Sequence, residues 1–148
     1  MITRFGGVAA RAAFAAFALG FSAITLSACA TTATVANAPV TSGVTQDYSA
    51  SYDVVKAAAL ESVQRLNVDV QGSDETSERF QIRFSKSISA FSWGEVGVVN
   101  VVRVDDHTTR VYVHTSKRDQ MQLTGTSERQ FATQIFANIT ESLSRLQQ

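Results

Sequence analysis

Residues 95–115 read EVGVVNVVRVDDHTTRVYVHT, and this stretch decides the fold. Glu95 to Val104 sets valines on alternate sides of an extended chain. Thr109 to Thr115 alternates Val111 and Val113 with Arg110, Tyr112 and His114, and β-branched residues suit a pleated, half-buried surface. Asp105-Asp106-His107-Thr108 lies between them, rich in the side chains that close turns. The pattern predicts two antiparallel strands joined as a hairpin. In the first of them Val98, Val102 and Val104 share one side while Val99 and Val101 share the other, so both faces of the strand are apolar.

Upstream the same period of two continues. Phe80, Ile82 and Phe84 alternate with Gln81, Arg83 and Ser85, and Val68 and Val70 alternate with Asn67, Asp69 and Gln71, with a polar break from Gly72 to Glu78. Before them the period changes. Val54, Val55, Ala58, Ala59, Val63 and Leu66 recur at three- and four-residue intervals, which predicts a helix from Tyr52 to about Leu66. Ser51 stands where it could cap that helix, and Asp53 and Glu61 lie nearer its positive end than Arg65 does. Downstream, Phe131, Ile135, Ile139, Leu143 and Leu146 form one stripe flanked by Ala132 and Phe136. Ser127 and Gln130 are spaced as a capping box, so a second helix of about 30 Å should run from Ser127 to Leu146. The expected fold class is α+β in two layers: an antiparallel sheet of three to four strands with an N-terminal and a long C-terminal helix on one face.

The chain has 148 residues and 13 basic against 13 acidic side chains. That length suits one domain, and the charge balance leaves no basic excess to neutralise phosphates, which argues against a nucleic-acid partner. The N-terminus has its own composition. Arg4 and Arg11 are followed by an uncharged run from Ala12 to Ala28, the n-region and h-region of a secretory signal peptide. A membrane-spanning helix is the competing reading, weakened by Gly20, Ser22, Thr25 and Ser27 within the run. Ala30 to Gln46 is uncharged and rich in small residues and Thr, with the chain's only proline at Pro39. It reads as a flexible tether with an end-to-end distance of about 20 to 25 Å, or alternatively as an edge strand, since Val and Thr favour strands. The expected organisation is signal peptide 1–28, lipidated cysteine and tether 29–46, and a single domain 47–148.

Leu26-Ser27-Ala28-Cys29 resembles a bacterial lipobox. The resemblance implies that the Cys29 thiolate takes up a diacylglyceryl group, that cleavage follows before Cys29, and that the new amine is N-acylated. Two or three acyl chains anchor a protein stably where one is marginal. Cys29 is the only cysteine, so the mature chain has no disulfide. Ala30 follows it, where enterobacterial lipoproteins retained in the inner membrane carry Asp. The resemblance therefore implies the outer membrane, facing the periplasm. The Tyr-Ser-Ala-Ser-Tyr-Asp lead-in to the first helix, the valine-rich strand, the Arg-Val-Tyr-Val-His strand and the terminal helix are similar to small bacterial lipoproteins of unknown function. More distantly they resemble the helix-grip domains of component C of the outer-membrane barrel assembly machine. That resemblance covers roughly Tyr48 to Leu146 and brings no catalytic residues.

Motifs for chemistry are absent from the sequence. There is no phosphate loop, no G-x-S-x-G elbow and no H-E-x-x-H. His107 beside Asp105 and Asp106 has the composition of a turn more than of a metal site, which needs three or four converging ligands, and His114 should stand on the outer face of the sheet. No catalytic residue, metal or cofactor is expected beyond the lipid on Cys29. The expected interaction surface combines Val99, Val101 and Tyr112, on a sheet face covered by a dimer mate, a partner or a docked tether, with Phe91 and Trp93 in the loop before the valine-rich strand. Arg83, Arg103 and Arg110 would rim it. The expected function is a non-enzymatic protein-interaction module in the bacterial cell envelope, with an envelope protein or a second copy as partner. The alternative is a module that holds a small apolar or lipid-like ligand between the terminal helix and the sheet near Phe91 and Trp93.

Overall fold

The hairpin forms as the alternation predicts. A computed structural model describes residues 30–88, 94–119, 121 and 123–146. The signal segment, the lipobox Leu26 to Cys29, and Phe91 and Trp93 lie outside the described residues. In chain order the elements are α1 (Thr32–Ala36), β1 (Val44–Tyr48), α2 (Tyr52–Gln64), β2 (Asp69–Glu75), β3 (Arg79–Lys86), β4 (Glu95–Arg103), β5 (Thr109–Lys117) and α3 (Glu128–Leu146). The strands make one antiparallel sheet in the order β1-β5-β4-β3-β2. The fold is α+β: an open five-stranded antiparallel sheet packed against helices.

β4 and β5 meet through a turn in which Val104 and Asp105 donate to the Thr108 carbonyl and the His107 N–H donates 2.8 Å to Asp105 Oδ1. β4 occupies the centre of the sheet, and its two sides face two different layers. On one side Val99 and Val101 pair across to Val113 and Val111, and α2 and α3 cover them. Phe80, Ile82 and Phe84 of β3 and Phe131, Ile135 and Ile139 of α3 complete this core. Gly97 in mid-β4 has a packing reason. A Cβ there would run into the Phe84 ring and come within 2.8 Å of Thr115 Cγ2, and that ring leans on Phe131 with centroids 5.5 Å apart.

The stripe of the terminal helix is buried through Ile139 and half-buried at Leu143, while Leu146 is exposed. Its capping box forms: the Ser127 N–H donates 2.8 Å to Gln130 Oε1 and the Gln130 N–H 3.3 Å to Ser127 Oγ. Ser51 takes the N-cap position of α2, but its side chain makes no capping bond. β2 extends through the expected polar break, with a register shift between Val70 and Gly72, and is exposed along most of its length.

Two expectations are corrected. The sheet has five strands because Val44 to Gln46, the end of the expected tether, continue with Asp47 and Tyr48 as an edge strand beside β5, the alternative reading of that stretch. The remainder of that segment is not loose either. On the outer side of β4, Val96 and Val98 are almost fully buried beneath Ala30 and Val35 of the α1 segment. A five-residue helix is unstable alone, so α1 exists because it docks there. The physical cause is the second apolar face of β4, which a single layer of helices leaves uncovered.

Val101→Asp should therefore abolish folding, not merely a surface contact, since an unpaired charge at that site costs a large part of the roughly 5–15 kcal/mol that holds a domain together. Loss of the circular dichroism melting transition checks this. Val35→Asp should instead free residues 30–37 while the α2–α3 core keeps its transition. Hydrogen exchange should then show protection lost in that segment alone.

Candidate functional site

The two faces of the sheet and its β1 edge offer three places where chemistry or binding could occur. The outer face carries an amide pair that the sequence reading passed over. Gln81 and Asn100 are cross-strand neighbours, both buried, and Gln81 Nε2 donates 2.9 Å to Asn100 Oδ1 and 3.3 Å to the Ala36 carbonyl. The pair satisfies a carbonyl at the end of α1 and so helps hold that segment down. The signal was the asparagine set among valines at 99–101.

Of the expected surface, Val99 and Val101 are fully buried under α2 and α3 and belong to the core. This corrects their assignment: alternation shows which residues share a face but not which face the helices cover. Tyr112 stands opposite Asn100 and Thr45, on the outer face and half-buried. The structure thus separates Tyr112 from the two valines. The outer face is covered as expected of a doubly apolar strand, and the cover is the docked N-terminal segment. Arg83 pairs with Asp74 and Arg110 with Asp47, both across strands on this face, while Arg103 lies 5.0 Å from the centre of the Tyr52 ring.

His114 lies on the outer face, half-exposed, with Nδ1 2.8 Å from Glu128 Oε2. The same carboxylate oxygen accepts the Thr115 N–H at 3.0 Å, so the first turn of α3 clasps β5 beyond the residues that β1 pairs. Among the described residues no group of three His, Cys, Asp or Glu side chains could hold a metal ion, and no helix is long and apolar enough to cross a membrane. Between α3 and the sheet, Phe84, Phe131, Ile135 and Ile139 pack together in the core.

One concave surface runs beside β1, and others lie at the start of α3 and between the ends of β2 and β3. β1 is an edge strand, and next to it α3 presents Thr133, Phe136, Ala137, Thr140 and Glu141, with Gln46 on the strand side. The small Ala137 leaves the groove open, and Thr and Glu side chains form a polar rim. Its frame is fixed from both sides. Tyr48 Oη donates 3.2 Å to the Phe136 carbonyl, which also accepts from Thr140 Oγ1 at 2.9 Å, and burial pushes the Tyr48 phenol well above the usual tyrosine range. Arg65 bridges α2 to Glu141 at 3.3 Å. On the opposite side of β1, Asp47 takes a two-pronged contact from Arg110 at 2.5 and 2.7 Å, and that hydrogen-bonded guanidinium holds its carboxyl below the usual range.

The fold and these surfaces define a two-layer α+β domain with a docked N-terminal segment and a groove at one sheet edge. The chain belongs to a family of proteins of unknown function, DUF3568, whose model matches residues 12–121. The matched range takes in the uncharged run 12–28 and all five strands, and it stops before α3. No curated protein matches the chain.

Because the Asp47 carboxyl is depressed by its pairing, its contribution to holding β1 is present above the ordinary carboxylate pKa of about 4 and is lost as pH falls through the folded value. Arg110→Ala should return the Asp47 pKa to the ordinary range in a carboxyl NMR titration. The same substitution should raise β1 amide exchange already at neutral pH and remove the further loss of protection that the wild type shows in acid.

Proposed function

We propose that this chain is a non-enzymatic, lipid-anchored protein of the bacterial cell envelope whose domain binds an extended segment of another envelope protein along the β1 edge. The observation that carries the reading is the open groove between β1 and α3. An edge strand offers main-chain donors and acceptors to an added strand, and a flanking groove offers pockets for its side chains. The two edges of the sheet differ in a telling way. β2 has a register shift and carries Asp69, Asp74 and Glu75, features that discourage pairing with another chain. β1 keeps an unbroken register with β5, and its single charge is engaged by Arg110.

The anchor is the diacylglyceryl and N-acyl lipid on Cys29 implied by Leu26-Ser27-Ala28-Cys29. The family match supports reading that segment and the domain together, because it spans both. Ala30 after the cysteine favours the outer membrane, facing the periplasm. A helix lying across an antiparallel sheet is also what the helix-grip resemblance implies, and it supports a binding role over a catalytic one. The partner on this reading is a protein; a second copy of the chain is the other candidate occupant of the edge.

The test is capture of the lipidated full chain from crosslinked envelopes. Ala137 is exposed, so Ala137→Trp should keep the fold, shown by an unchanged melting transition, and should lose the captured partner by filling the groove. Cys29→Ala should release the domain from the membrane fraction and leave groove binding in solution intact. The same partner recovered equally by wild type and Ala137→Trp would overturn the groove as the binding site.

A further inference from the structure

The two ends of the sheet are not alike. At one end Lys86, Glu95 and Lys117 stand in register where β3 stops, β4 starts and β5 stops. The segments leaving this end carry Ile88, Met121 and Leu123, which are 66%, 88% and 96% exposed. Met121 and Leu123 are the two most exposed large apolar side chains described. They are displayed on a tied framework: Lys86 Nζ donates 2.8 Å to Thr126 Oγ1, the Thr126 N–H 2.9 Å to Glu95 Oε1, and the Arg118 N–H 3.1 Å to the Gly94 carbonyl. Gly94 has φ +92° there, and a Cβ would come within 2.7 Å of the Lys86 carbonyl, so glycine is required for this closure.

The chain's N-terminal side reaches the same end. The Ala30 N–H donates 3.2 Å to the Arg118 carbonyl, and Ala30 is 6% exposed. Consecutive Cα atoms are about 3.8 Å apart, so Cys29 is one residue from a buried, hydrogen-bonded position. There is no slack between the anchoring residue and the domain.

We infer that this end of the domain rests on the bilayer, with Ile88, Met121 and Leu123 inserted into its interfacial region. The inference rests on the reading of Cys29 as the anchor. An acylated residue sits at the membrane surface, and a docked neighbour transmits that position to the domain as an orientation. Loop-borne apolar side chains that would be costly to hold in water are favourable at the acyl boundary. Nearby charges are of both signs: Lys117 and Arg118 against Asp119 and Glu128. Apolar insertion, not attraction to anionic lipid, therefore makes the contact, and the orientation should persist at high salt.

The test uses the full chain in membranes of the expressing bacterium, with a nitroxide attached at Leu123→Cys or, at the β4–β5 turn, Val104→Cys. An acylated Cys29 does not react, which leaves one label per chain. The expected result is that the Leu123 label is several-fold more accessible to dissolved oxygen, and less to a water-soluble nickel chelate, than the Val104 label, with little change in high salt. Equal access at the two sites in a chain that stays with the membrane would overturn the orientation and leave the anchor standing. A soluble chain labelled at Cys29 would overturn the anchor and the orientation together. Shielding of the Leu123 label that persists in detergent and grows with protein concentration would place a second copy there and overturn the inference.

Discussion

Everything in this domain depends on β4 being apolar on both faces. A strand with valines on alternate sides cannot leave either side in water, so the sheet must be covered twice. α2 and α3 supply one cover over Val99 and Val101, and the short segment from Ala30 to Ala36 supplies the other over Val96 and Val98. The first cover is a full hydrophobic core. The second is two small apolar residues, a capping box between Thr31 and Thr34 and the Gln81 amide beneath. Burying one valine is worth about 1.5–3 kcal/mol, while ordering a residue costs about 1–2 kcal/mol. The outer layer is thus the weaker of the two and the part expected to open first.

Much of the architecture was legible because periods of two and of three to four separate cleanly along this chain. The hairpin, both helices and the terminal capping box follow from local pattern alone. What the pattern could not supply was which side of β4 the helices take, because alternation is symmetric between faces. That ambiguity placed Val99 and Val101 on a surface when they form the core. Which of a dimer mate, a partner and a docked tether covers the other face is undecided in the sequence for a different reason. ATTATVANAPV carries almost no apolar volume, and its order comes from a preformed surface 45 or more residues downstream, which no local window contains.

The groove beside β1 was equally hidden, because it exists only once the stretch expected to be tether has become an edge strand. Gln46, Ala137 and Thr140 have no distinguishing pattern in the sequence. Phe91 and Trp93, which the sequence singles out, lie outside the described residues.

The pairing of β1 with β5 also sets the order in which the chain can mature. Thr45 Oγ1 bonds the Val111 carbonyl across 66 positions of sequence, so a chain emerging N-terminus first, from a ribosome or through a pore, presents Val44 to Tyr48 long before its template appears. Through that interval the segment is an unpaired strand of high β-propensity, open to any edge it meets. Nearly all of the domain must emerge before its earliest residues find their place. An N-terminus that is synthesised first and docks late benefits from being small, uncharged and poor in large apolar side chains. The unremarkable composition of residues 30–43 is, on this account, what keeps the nascent chain soluble.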